Sequence, residues 1–152
     1  MRHAAFSYLL AAVVLKLATL TASGGAMAQP IEVFKSASCG CCTLWMKHLS
    51  RSGFSPKWQD LGAVELTRVK ADARIPDNLQ SCHTAKIDGY VIEGHVPASD
   101  IRRLLAERPD AIGLAVPGMP IGSPGMESGN AREPYEVLLL RRDGSTMVFS
   151  RH

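Results

Sequence analysis

Three cysteines fall within four residues, Cys39-Gly40-Cys41-Cys42, and a fourth, Cys82, is followed directly by His83. These are the chain's only cysteines. A thiolate attacks disulfides and binds soft metal ions, so the cluster could serve redox or metal chemistry. It follows the strand-like run Ile31-Glu32-Val33-Phe34 and opens a helix-like run. A helix N-terminus carries unpaired N–H groups and partial positive charge, and both favour thiolate over thiol.

Three chemistries compete for these residues. Disulfide exchange needs two cysteines, with Cys39 attacking and Cys42 resolving. Three thiolates within four residues, plus Cys82 and His83, exceed that need. Structural disulfides fit an even cysteine count in an exported chain. Adjacent Cys41 and Cys42 argue against them, because a vicinal disulfide is strained and the two side chains leave a helix about 100° apart. Metal binding uses all of them. Soft thiolates select Cu(I), zinc or iron–sulfur clusters. Zinc prefers two spaced ligand pairs, and a second Cys-x-x-Cys is missing. An iron–sulfur protein is not usually exported unfolded. Cu(I) is favoured by the export signal and by nearby thioethers.

Further candidates each carry an ordinary alternative. His95 precedes Val96-Pro97 and is either a ligand or a hydrogen-bonded loop histidine. Met119 and Met126 sit in Pro-Gly-Met-Pro and Pro-Gly-Met-Glu, and either deliver copper or pin the loop as apolar plugs. Met46, one turn past Cys42, either adds a thioether or packs in the core, and Trp45 is a lid or a core residue. His48, roughly 10.5 Å along a helix from Cys41, suits a solvated or capping role.

The elements that must position these groups begin with export. Residues 1–28 read as a secretory signal peptide: Arg2, the apolar run Ala4 to Leu15, and the cleavage motif Ala26-Met27-Ala28. Lys16 interrupts the apolar run, which is too short for a span of about 20 residues. No later segment is long and apolar enough to cross a membrane. A periplasmic location follows. The signal carries two basic residues, Arg2 and Lys16, and no acidic one, so the formal charge of +3 becomes +1 in the mature chain. That excludes a nucleic-acid footprint, which needs a basic stripe. Residues 29–152 suit one domain with a modest core.

Ile31 to Lys35 reads as a buried strand. Cys42, Trp45, Met46 and Leu49 share one helix face, and Ser52-Gly53 ends that helix. Pro56 to Asp60 is a weaker strand. Val64 to Ala73 is an amphipathic helix with Leu66, Val69 and Ala73 inward, stopped by Pro76. Thr84 to Ile87 and Tyr90 to Glu93 flank Asp88-Gly89, a two-residue hairpin signal. Pro97 opens a helix with Ile101, Leu104 and Leu105 inward, and Pro109 closes it. Residues 109–134 form a long Pro/Gly-rich loop. Tyr135 to Leu140 and Thr146 to Phe149 form a last hairpin around Asp143-Gly144. The order predicts an α/β, thioredoxin-like fold with a central mixed sheet and flanking helices. A Cys-x-x-Cys at the first strand-to-helix junction agrees with it. Thioredoxins hold a cis-proline before the third strand; here Cys82-His83 stands there, and no proline lies between Pro76 and Pro97.

The combination of Val33-Phe34-Lys35-Ser36 with Cys39-Gly40-Cys41-Cys42, Trp45 and His48-Leu49 strongly resembles the CopG-like proteins. Ser81-Cys82-His83-Thr84, Gly89 to Pro97 and Gly113 to Pro120 complete the likeness, which covers residues 31–152. The resemblance implies a thioredoxin-like fold and a periplasmic role in copper resistance, with copper exporters and copper oxidases as partners. It implies that Cys39, Cys41, Cys42 and Cys82 hold Cu(I), singly or as a multinuclear cluster; His83, joined to Cys82, reads from its position as a ligand or a group that tunes the cluster. Redox turnover of copper has been proposed for the family.

Overall fold

The computed structural model describes residues 28–152. The expected signal peptide therefore lies outside the described residues, apart from Ala28. In chain order the elements are β1 (Gln29–Lys35), α1 (Gly40–Arg51), β2 (Phe54–Asp60), α2 (Ala63–Asp72) and a short 3-10 turn (Asp77–Leu79). Then follow β3 (His83–Ile87), β4 (Tyr90–Glu93), α3 (Ala98–Glu107), β5 (Gly113–Ala115), β6 (Glu136–Leu140) and β7 (Thr146–Arg151). One mixed seven-stranded sheet runs β2-β1-β3-β4-β5-β6-β7. The pairs β1–β2 and β4–β5 are parallel and the others antiparallel. The expected α/β class and mixed sheet are found.

The larger core joins Ile31 and Val33 of β1 to Trp45 and Leu49 of α1 and to Ile101 and Leu104 of α3. Each fully buried aliphatic side chain of this kind contributes about 1.5–3 kcal/mol. The Trp45 indole is wholly buried and donates from Nε1 to the Val96 carbonyl at 2.9 Å, so its polar edge is satisfied. A smaller cluster, including Ala73, Ile75, Leu79 and Leu140, lies apart from it.

Two expectations need correction. In α2, Leu66 and Val69 are only half-buried, and the buried residue of the helix is Lys70. Its ammonium meets Glu93 Oε1 at 2.5 Å and Thr84 Oγ1 at 3.0 Å; of the expected apolar stripe only Ala73 is buried, and an ion pair stands beside it. The segment after α3 is not all loop. Gly113–Ala115 inserts between β4 and β6, which merges the last hairpin with the main sheet. Three residues are too few to display a period, and all three are buried.

That insertion depends on a missing side chain. Gly113 pairs with Val91, and a Cβ on it would overlap the Val91 carbonyl. Backbone cannot retreat as a flexible side chain can. We predict that Gly113→Ala costs about 1–3 kcal/mol or more, read as a lower urea midpoint. An unchanged midpoint would show that β4 and β5 can separate without loss.

Candidate metal centre

Cys39 is the N-cap of α1, and the Cys42 N–H points at its sulfur at 3.3 Å. Cys39, Cys41 and Cys42 therefore lie on the first turn, at the positive end of the helix. Just before them, Lys35 is buried and donates to Asp60 Oδ1 at 2.7 Å and to the Ser36 carbonyl at 3.1 Å. This ties down the start of the Ser36-to-Ser38 loop.

Antiparallel pairing of β3 with β1 sets Lys35 opposite His83. Cys82 precedes β3, so the same register delivers it to the end of β1 where α1 begins. Its sulfur lies 3.5 Å from that of Cys42 and 3.8 Å from that of Cys41. Cys41 and Cys39 are 3.5 Å apart. All four sulfurs lie within 4.8 Å of one another. Cys39 and Cys42 are joined as a disulfide, while Cys41 and Cys82 are free thiols. This excludes the pairing of all four cysteines as structural disulfides. It also means that the four-thiolate set exists only after reduction.

Histidines extend the cluster. His83 Nδ1 is 3.3 Å from Cys82 Sγ, and His95 Nε2 is 3.1 Å from it. Cys82, His83 and His95 form a second group of potential donors within 4.8 Å of one another. His95 Nδ1 donates to the Pro124 carbonyl at 2.8 Å. That bond places the lone pair of neutral His95 on Nε2, facing Cys82. Both rings are fully buried. Trp45 packs on His83 with ring centroids 4.2 Å apart. His83 Nε2 is buried without a hydrogen-bond partner among the described residues.

Burial sets the electrostatics. It holds His83 well below the usual histidine range, helped by the nearby His95 and Lys70 charges. It also lowers His95, against the opposing pull of the Pro124 carbonyl. The Cys82 thiol is pushed up to about 12, by burial first and then by Cys41 beside it. Without a metal, Cys82 is therefore a thiol facing a neutral imidazole.

The Pro/Gly-rich loop lies across α1. Gly125 has φ +88°, and a Cβ there would come within 2.6 Å of Trp45 N and 2.7 Å of Cys41 O. Only glycine lets the loop approach the helix closely enough for the Pro124 carbonyl to reach His95. Ser81 closes the other side, donating from Oγ to the Gly118 carbonyl at 2.5 Å.

Of the remaining candidates, Met46 is buried in the core with Trp45. His48 accepts from Ala98 N at 3.1 Å, a capping role at the start of α3. Met119 is 51 % exposed, one residue past the Gly118 contact, and Met126 is half-buried. Two residues escaped the sequence reading. Glu93 Oε1 accepts from Ser81 N at 2.7 Å, and Glu93 is the partner of Lys70. A glutamate closing the apolar run Tyr90-Val91-Ile92 was the available signal, but nothing local points to its partners. The Pro124 carbonyl has no side-chain signature at all.

Residues 79–126 match a family described as a protein of unknown function, DUF411. No curated protein matches the chain. One solved structure of a copper resistance protein, copG, in form 1, is 44% identical with a TM-score of 0.77, over 82% of this chain and 98% of that chain. Its form 2 is 45% identical with a TM-score of 0.76, over the same shares. The chain belongs to the CopG-like family. Among the described residues, no helix is long and apolar enough to cross a membrane.

Two outcomes follow from the burial. At about pH 8, Cys82 of the disulfide form should react with iodoacetamide at least about 10-fold more slowly than an ordinary thiol, because burial raises its pKa and lowers its thiolate fraction. Peptide mapping of alkylation rates reads this, and ordinary reactivity would contradict it. The lowered histidines also make the metal-free protein acid-sensitive. Stability is full above the unfolded value near 6.5 and falls as pH drops through the lower folded values. His83 alone supplies a slope approaching about 1.4 kcal/mol per pH unit in that window. Urea midpoints that stay level between about pH 7.5 and about pH 5.5 would contradict it.

Proposed function

We propose that this is an exported copper-binding protein of copper homeostasis and resistance, holding Cu(I) through Cys39, Cys41, Cys42 and Cys82. The observation that carries the reading is the convergence of Cys82 on Cys41 and Cys42 at 3.8 and 3.5 Å, across about 40 residues of chain. Four sulfurs at these separations can each bridge two metal ions, which supports a multinuclear site. Thiolates and Cu(I) are both soft, so this donor set favours Cu(I) over Cu(II). The solved relatives are copper resistance proteins, which supports copper as the cargo. His83 is a ligand or tunes the cluster, and His95 faces Cys82 from the other strand of the hairpin. Met119 and Met126 are candidate thioether donors on the loop.

Residues 1–28 then act as the signal peptide and residues 29–152 as one periplasmic metal-binding domain. A copper exporter or a copper oxidase is the natural partner. Redox turnover of copper is compatible with the site. Two Cu(II) ions each take one electron from the Cys39 and Cys42 thiolates, which join as the disulfide and leave two Cu(I).

A second reading has its own observation. The Cys39–Cys42 disulfide at a helix N-terminus is also the arrangement of a thiol–disulfide oxidoreductase. Cys82→Ser separates the two. A disulfide enzyme keeps its reductase activity in that variant, whereas a copper cluster loses stoichiometry.

The deciding experiment is anaerobic Cu(I) titration of the reduced mature protein against a competing chelator, with metal counted by mass spectrometry. We expect tight uptake of one or more Cu(I) per chain, abolished in Cys41→Ser/Cys82→Ser. Failure to compete with the chelator would overturn the copper reading.

A further inference from the structure

The two donor groups share one atom, Cys82 Sγ, and respond differently to oxidation. The sulfur group needs Cys39 and Cys42 as thiolates, so the disulfide removes half of it. The second group, Cys82, His83 and His95, takes nothing from α1. Its members flank the β3–β4 hairpin, whose register sets Thr84 opposite Glu93. The Gly94 N–H donates to the His83 carbonyl at 3.0 Å and so continues that register to the donors. This group is therefore complete in the disulfide form.

Its geometry and chemistry suit a different ion. A tetrahedral site with Zn–S near 2.3 Å and Zn–N near 2.05 Å separates sulfur from nitrogen by roughly 3.5 Å. The distances here, 3.1 and 3.3 Å, need to open by only a few tenths of an ångström. His95 already turns the lone pair of Nε2 toward Cys82, through its bond to Pro124. His83 is fully buried and presents Nδ1 to Cys82 at 3.3 Å, so it joins the group through that nitrogen. One thiolate and two neutral imidazoles are a borderline donor set, less soft than four thiolates and well suited to divalent zinc. Three protein donors leave a fourth position open.

We propose that the disulfide form of the protein is itself a metal site, in which Cys82, His83 and His95 hold one borderline divalent cation of the Zn2+ class. This rests on the copper reading only in that the reduced thiolate cluster is the alternative state of the same pocket. Because Cys82 serves both groups, the redox state of Cys39 and Cys42 selects which kind of ion the pocket takes. Reduction of that bond by a dithiol returns two thiols and leaves the donor as a disulfide, so the change of preference needs no movement of the hairpin.

The test is Zn2+ titration of the non-reduced protein against a chromophoric chelator, with Co2+ as the spectroscopic probe. One equivalent per chain is expected, and Co2+ should show a thiolate charge-transfer band with the visible bands of a four-coordinate ion. Cys82→Ser should abolish the band and weaken Zn2+ on the order of 100-fold or more. His95→Asn should weaken it similarly. Asparagine keeps an N–H near the position of Nδ1 for the Pro124 carbonyl, and far-UV dichroism with a count of two free thiols checks its fold. Cys39→Ser/Cys42→Ser should bind Zn2+ like the disulfide form whether or not reductant is present. The proposal is overturned if the disulfide form takes up no Zn2+, or if its uptake is indifferent to both Cys82→Ser and His95→Asn. Cu(I) uptake by the reduced wild-type protein is measured in parallel, so failure of the copper reading is seen separately.

Discussion

The carboxylate of Glu93, 1 % exposed, gathers three elements around the cysteine loop. Oε1 takes the Lys70 ammonium of α2 and the backbone N–H of Ser81, and Oε2 takes the Thr84 hydroxyl of β3 at 2.7 Å. Burying a carboxylate is expensive, and burial does push Glu93 upward, against the pull of Lys70 and its hydrogen bonds. Removing one partner of such a pair typically costs about 3–5 kcal/mol, because the other charge stays buried and uncompensated. The arrangement is thus selective more than it is stabilising. The bond from Ser81 N fixes the backbone there, and Cys82 is the next residue.

From that anchor the donor chemistry is graded in space. The α1 side is all sulfur, at the positive end of a helix that tolerates accumulated negative charge. The hairpin side is nitrogen-rich, buried and neutral. Cys82 stands between the two and belongs to both. Soft and borderline donors are thus adjacent but carried by different elements, so a change in the oxidation state of one leaves the other in place.

The Pro/Gly-rich loop is the third constraint. It reaches the site through backbone groups: the Pro124 carbonyl on His95, the Gly118 carbonyl on Ser81, and Gly125 against α1. From Gly113 to Val116 the same segment is buried, with β5 in the sheet. A loop held in this way can be close to the donors and still be written in residues that carry no chemistry of their own.

The sequence by itself determined what is local. The helix start beside the cysteines, the apolar face of α1 and the hairpin at Asp88-Gly89 depend on patterns spanning a few residues, so spacing and residue type were enough. The donor types were equally plain, because softness belongs to the side chain. The tertiary structure decided the rest. It carried Cys82 to α1, brought His95 to Cys82, turned Lys70 inward to Glu93 and drew Gly113–Ala115 into the sheet. The Cys39–Cys42 disulfide, by contrast, is local, three residues apart, and leaves Cys41 free. Of the tertiary outcomes, the first, second and fourth are set by strand register, and the third by the packing of α2 on the sheet. Register is set by burying whole faces of a sheet together, and no single segment contains that information.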